Sequence, residues 1–196
     1  MGKNVVIIGG VACGSKVAAR LRRLDPEASI TVLEKGRSLS YAGCGMPYFL
    51  GGVVPDYRSL TSTSLGIERD AAFFRKVKHV DVLPRHQATR IDRERRTVTA
   101  LDLESGQERS FPYDALVLAL GAQPIRPQIP GVELAGVFSL GTLEDALAIS
   151  QALEEGTVRR AVVVGSGFIG MEMVEALRHR GVEVSVVELL DRPLGT

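Results

Sequence analysis

The 196-residue sequence is poor in cysteine, in excess charge of either sign and in long apolar runs, and each shortage removes a class of function. It has only two cysteines, Cys13 and Cys44, with no CxxC pair and no clustered histidines, so neither a disulfide framework nor a metal site is expected. His79, His86 and His179 are scattered and read as surface or cap residues. The 24 Lys and Arg nearly cancel the 23 Asp and Glu, and no basic block occurs, which leaves no electrostatic footprint for nucleic acid. The longest apolar runs (5–8, 115–120 and 161–164) are far too short to span a bilayer. The opening "MGKNVVIIGG" enters a strand-like run with no apolar leader or cleavage site, and Val6 stands where a myristoylation signal has Ser or Thr. A cytoplasmic protein is expected.

What the chain does have is an internal repeat. "NVVIIGG", "GSKVAARLRRL" and "SITVLEK" read as strand, helix and strand, with Asp25-Pro26 breaking the helix. "RRAVVVGSGFIGMEMVEALRHRGVEVSVVEL" repeats the plan, with Gly181 as the helix stop. Between them, "QATRID", "RTVTALDL" and "ERSFPYD" alternate in polarity and predict an antiparallel meander over about 86–114. The meander runs into "ALVLALGAQP", an apolar run of the kind a strand buried on both faces requires. A proline-rich connector follows, then an amphipathic helix in "TLEDALAISQALEEG" with Thr142 as N-cap. The ranges are 1–122 for a first nucleotide domain, 123–156 for connector and helix, and 157–196 for an incomplete second one. Two parallel strands cannot bury their own faces, so a longer parent chain is expected.

Gly165, Gly167 and Gly170 form an intact G-x-G-x-x-G between strand and helix. The first glycine permits the tight turn, the second lets backbone approach a pyrophosphate, and the third lets helix meet strand, with the helix N-terminus attracting the anion. Glu188, ending the next strand, would accept hydrogen bonds from a ribose and repel a 2′-phosphate, favouring NAD over NADP. The N-terminal copy, Gly9 to Gly14, has Val11 where the second glycine should be; Glu34, correctly spaced, supports dinucleotide binding there.

Cys44 follows Glu34 on the loop leaving the second strand, with glycines on both sides. Spacing alone leaves two readings open: a small buried hydrophobe, or a reactive thiolate near the far end of the first dinucleotide. Cys13, in the phosphate-binding turn, reads as a small-residue filler, and a Cys13–Cys44 disulfide is left open. Lys16, Arg20 and Arg23 recur at helical spacing, which sets three cations on one face. That face is either simply solvated or receives an anionic, phosphate-bearing substrate.

Together "VVIIGGVACG", "SYAGCGMPY", "YDALVLALGAQP" and "VVVGSGFIGMEMVEAL" resemble the single-cysteine branch of the FAD-dependent pyridine nucleotide-disulfide oxidoreductases. That branch holds coenzyme A-disulfide reductases, NADH oxidases, NADH peroxidases and persulfide reductases. Phe49 occupies the position where the CxxxxC subclass has its second cysteine. The resemblance implies an α/β fold of two dinucleotide-binding, Rossmann-like units with an antiparallel meander, here incomplete. It implies FAD on Gly9, Gly10, Val11, Ala12, Gly14, Glu34, Lys35, Ala88, Leu120 and Gly121, and NADH on Gly165, Gly167, Phe168, Ile169, Gly170 and Glu188. Cys44 would be the redox nucleophile. Lys16, Arg20, Arg23, Ser40, Gly43 and, more distantly, Lys78 would hold coenzyme A. Gly43 stands where some reductases have an asparagine and cannot supply that side-chain hydrogen bond. Ala12 stands where peroxidases and oxidases often have a histidine, which disfavours peroxide chemistry. The implied activity is NADH-dependent reduction of coenzyme A disulfide, persulfide or a related disulfide, in a homodimer when full length. The present chain alone is expected to lack turnover. The alternatives are an NADH oxidase or peroxidase working through a Cys44 sulfenic acid, and a non-catalytic dinucleotide-binding redox sensor.

Overall fold

The structure is a computed structural model that describes residues 2–195; Met1 and Thr196, the outer ends of the ranges 1–122 and 157–196, lie outside the described residues. In chain order the elements are β1 (Asn4–Ile8), α1 (Cys13–Leu24), β2 (Ser29–Leu33), α2 (Met46–Leu50), α3 (Arg58–Thr61) and α4 (Ala71–Phe73). Then come β3 (Asp81–Leu83), β4 (His86–Asp92), β5 (Thr97–Asp102), β6 (Glu108–Pro112) and β7 (Ala115–Leu118). The series ends with α5 (Leu143–Glu154), β8 (Arg160–Val164), α6 (Phe168–His179) and β9 (Glu183–Val187).

The chain divides into two compact units, one of Met1–Ala42 with Thr61–Gly121, the other of Gly43–Leu60 with Ala122–Thr196. In the first, a four-stranded parallel sheet runs in the order β3-β2-β1-β7, and β4-β5-β6 form an antiparallel sheet. The period of two along β1 explains its double burial. Val5 and Ile7 pack with Val17, Ala18 and Leu21 of α1 and with Phe74, whereas Val6 and Ile8 point the other way, against Val98 and Ala100 of β5. A strand that must be apolar on both faces therefore reads "VVII" without alternation.

The second unit pairs β8 and β9 in parallel register, from Arg160↔Glu183 to Val164↔Val187. A capping box opens α5: the Thr142 hydroxyl accepts from the Asp145 N–H at 3.1 Å, and the Asp145 carboxylate accepts from the Thr142 N–H at 2.8 Å. The short α2 packs against α5 and α6. Its approach to α6 is close, since a Cβ on Gly51 would lie 3.2 Å from the Ala176 Cα. This packing, through buried Met46, Pro47 and Leu50, places residues 43–60 with the second unit, whereas the range 1–122 read from sequence holds them in the first. The same range missed the short elements α2 to α4 and β3, because each is under six residues and carries no sustained periodicity.

Among the described residues β7 pairs with β1 on one side, and Leu118 is 57% exposed although its apolar run predicts cover on both faces. An apolar run announces burial wherever it occurs, but only strand order says which strands have neighbours on both sides. Val162, Val164, Val186 and Val187 are also exposed, as expected where two strands form a sheet by themselves. Among the described residues no helix is long and apolar enough to cross a membrane.

Candidate functional site

In the first unit the carboxyl ends of β1, β2 and β7 meet at one edge of the parallel sheet, the usual location of ligand crevices in such sheets. The chain leaving β1 turns at Gly9 (φ +105°), whose N–H donates to the Leu33 carbonyl at 2.8 Å. A side chain is excluded there, because a Cβ would lie 2.0 Å from the Ala119 carbonyl oxygen. Gly14, in the first turn of α1, is also obligatory: its Cβ would sit 1.7 Å from the Gly9 carbonyl oxygen. The helix thus begins directly against the turn, with no side-chain cap and no acidic residue in its first turn. Its first N–H groups and positive dipole end remain available to an anion.

Glu34 ties this turn to the loop after β2. Its buried carboxylate accepts from the Gly10 N–H at 2.6 Å and from the Gly36 N–H at 2.7 Å. The start of β4 is docked beside it, with the His86 N–H on the Glu34 carbonyl at 2.9 Å, so Ala88 lies two residues from this contact. Val11, Ala12, Lys35, Leu120 and Gly121 (φ +67°) flank the same edge in sequence. Ser40, at φ +47°, donates its N–H to the Gly10 carbonyl at 3.1 Å, which brings one candidate substrate residue onto the turn itself. Lys16, Arg20 and Arg23 are exposed on α1. Lys78 ends a π-helical turn (Phe74–Lys78) with its Nζ 5.7 Å from the centre of the Phe73 ring.

The second unit reproduces this construction. Gly165 turns at φ +96° and donates to the Val187 carbonyl at 2.8 Å; a Cβ on Gly170 would lie 2.1 Å from the Gly165 carbonyl oxygen. Gly167 is different, because a Cβ there would meet nothing within 4 Å. Its missing side chain serves no contact inside the protein and leaves room for a ligand to approach the N-terminus of α6. Phe168 and Ile169, the next residues, are exposed. Glu188 accepts at Oε2 from the Ser166 N–H (2.6 Å) and hydroxyl (2.7 Å), and at Oε1 from the N–H groups of Leu189 (2.7 Å) and Leu190 (2.9 Å). The Leu190 N–H first, then Ser166, lowers its carboxyl from 4.5 to about 2, so it is a fixed negative charge at neutral pH.

Gly43 and Cys44 lie in a 3-10 turn (Gly43–Gly45) ahead of α2. Cys44 is exposed, which disfavours its reading as a buried hydrophobe, and Cys13 is exposed as well. Both thiols are free, so the disulfide left open by the sequence is not formed.

Three contributors lay outside the sequence reading. Ser166 and Gly36 each donate an N–H to one of the two carboxylates: Ser166, the residue after the first glycine, faces the strand-end acid as Gly10 does, and Gly36 stands two residues after Glu34 as Leu190 stands after Glu188. Arg22 donates from Nε (3.1 Å) and Nη2 (2.7 Å) to the His79 carbonyl and from Nη1 to that of Pro26 (2.6 Å). It lies off the Lys16–Arg20–Arg23 stripe, which is why periodicity passed it over.

Two βαβ units in one chain, each with a glycine-rich turn tied to a strand-end carboxylate, define an α/β protein with a repeated Rossmann-like construction. A family model described as pyridine nucleotide-disulphide oxidoreductase matches residues 3–196, and the chain belongs to that family. The solved structure of an NAD-dependent persulfide reductase from A. fulgidus is 48% identical with a TM-score of 0.93, over 96% of this chain and 34% of that one. A Bacillus anthracis CoADR-RHD structure is 37% identical with a TM-score of 0.93, over 100% and 34%. Coenzyme A disulfide reductase of Staphylococcus haemolyticus is 32% identical over 185 residues, 94% of this chain and 40% of the relative. The chain therefore spans about two fifths of the length of such curated relatives.

Proposed function

We propose that this chain supplies the nucleotide-binding and thiol elements of an NADH-dependent flavoprotein reductase of coenzyme A disulfide, persulfide or a related disulfide. The observation that carries the reading is the duplicated cradle: a relay of reducing equivalents between two dinucleotides needs two such turns, and an exposed free thiol accompanies them.

The first turn fits FAD. Gly9, Gly10, Val11, Ala12 and Gly14 bring backbone and a helix N-terminus to a pyrophosphate, and Glu34, with two N–H donors on its carboxylate, keeps about two acceptor positions for a ribose diol. Lys35, Ala88, Leu120 and Gly121 complete its surroundings. Gly165, Gly167, Phe168, Ile169, Gly170 and Glu188 take NADH over NADPH, because the carboxylate charge opposes a 2′-phosphate. Lys16, Arg20, Arg23, Ser40 and Lys78 serve the phosphates of coenzyme A, with charge-assisted contacts that weaken in salt. Gly43 adds backbone only.

The Cys44 thiolate attacks one sulfur of the substrate disulfide; the S–S bond breaks, one thiolate leaves, and a Cys44 mixed disulfide forms. The chemistry that FAD supplies when bound is transfer of two electrons from NADH to that mixed disulfide, which restores the Cys44 thiolate and releases the second thiol. Ala12 offers no proton to a leaving hydroxide, so peroxide is the poorer substrate. The same reading makes the whole protein a cytoplasmic homodimer.

The test is anaerobic stopped-flow on the full-length, FAD-loaded protein: reduction by NADH, then oxidation by coenzyme A disulfide, by a persulfide or by peroxide. Thiol release with either sulfur substrate supports the reading. Reoxidation by peroxide alone would make it a peroxidase or oxidase, and no flavin reduction would leave a dinucleotide sensor.

A further inference from the structure

The two turns differ at several positions, and one of them, Gly10 against Ser166, changes what each carboxylate has left to offer. A carboxylate accepts about four hydrogen bonds. Glu34 receives the N–H groups of Gly10 and Gly36, leaving about two positions open. Glu188 receives four donors: the N–H and hydroxyl of Ser166 and the N–H groups of Leu189 and Leu190. Ser166 corresponds to Gly10. Its side chain is 1% exposed, so the hydroxyl serves Glu188 and not a ligand directly. Three of the four donors are backbone groups fixed by their turns; the serine hydroxyl is the one that can rotate away. The first turn is tighter at this position, where a Cβ on Gly10 would lie 3.1 Å from the Glu34 Cβ and 3.4 Å from the Leu39 Cδ2.

We propose that Ser166 sets the affinity of the second turn: it occupies the acceptor position on Glu188 that an adenosine ribose hydroxyl needs, and so keeps the dinucleotide there exchangeable. Gly10 leaves Glu34 open, and the dinucleotide of the first turn is held as a resident. This rests on the second turn being a pyridine nucleotide site. It fits a division of labour in which one nucleotide stays bound and the other arrives, is spent and leaves.

The experiment is NADH titration by cofactor fluorescence, with stopped-flow dissociation, on the full chain as wild type, S166G, S166A and S166T. Removing the competing hydroxyl is expected to tighten NADH by about five-fold in S166G and S166A, through slower dissociation. S166T, which keeps a hydroxyl, is expected to stay near wild type. NADPH affinity is expected to change less, since the charge on Glu188 remains; a general loosening of the turn would weaken both nucleotides together. Unchanged or weaker NADH binding in variants that melt like wild type overturns the proposal while leaving the nucleotide site intact. A wild type that binds neither NADH nor NADPH overturns the site and the proposal with it.

Discussion

Replacing Gly14 by alanine tests the claim that helix and turn meet backbone to backbone in the first unit. The new methyl would stand 1.7 Å from the Gly9 carbonyl oxygen and 3.1 Å from the Ile7 Cγ2, where ordinary contact begins at 3.4 Å. The oxygen belongs to a turn held by the Gly9–Leu33 hydrogen bond, so it cannot swing aside as a side chain would. The first turn of α1 must withdraw by about 1.7 Å, the difference between those distances, and Val17, Ala18 and Leu21 lose part of their packing on Val5 and Ile7. Overpacking of this kind costs about 1–3 kcal/mol, and a rigid backbone partner sets it at the upper end. The better helix propensity of alanine returns at most about 1 kcal/mol, and less so near a helix end. A net loss of about 2 kcal/mol lowers the urea midpoint by about 1 M for an m-value of about 2 kcal/mol/M. Far-UV circular dichroism melts of the two proteins measure this. A midpoint within about 0.2 M of wild type would refute the steric account of this glycine.

Gly167→Ala should behave oppositely: no internal atom lies within 4 Å of the new Cβ and the backbone is extended, so the melt is unchanged while NADH affinity falls about ten-fold or more, read by titration. Equal losses in both assays would contradict it. The Glu188 carboxyl, lowered from 4.5 to about 2, favours the folded state above pH 4.5 and loses that contribution as pH falls through about 2. The difference in melting temperature between wild type and Glu188→Gln should therefore narrow across that interval, and a constant difference would count against the hydrogen-bond assignment. Both thiols are exposed and free, so the native chain should consume two equivalents of Ellman's reagent and Cys44→Ser one. In the full-length protein Cys44→Ser should also abolish disulfide reduction while NADH still reduces the flavin; retained turnover would assign the chemistry elsewhere.

Both nucleotide units were legible from sequence because their determinants are local. A β-branched run, a glycine where φ must be positive, an amphipathic helix and an acid at the next strand end lie within about 35 residues of each other. The same locality explains the meander and the Thr142 cap. Cys44 and the family were legible from short motifs, whereas the surroundings of Cys44 were not.

Sequence by itself determined that two similar βαβ units exist, where each begins, and that Cys44 stands among glycines. Tertiary structure decided what depends on distant partners: that β7 pairs with β1, that α2 packs with α5 and α6, and that Arg22 clamps the His79 carbonyl. It also decided that one strand-end carboxylate keeps acceptor positions free while the other has none. Periodicity reports which face of an element is apolar; hydrogen-bond saturation depends on which donors the folded chain brings to each oxygen, and those donors come from separate turns.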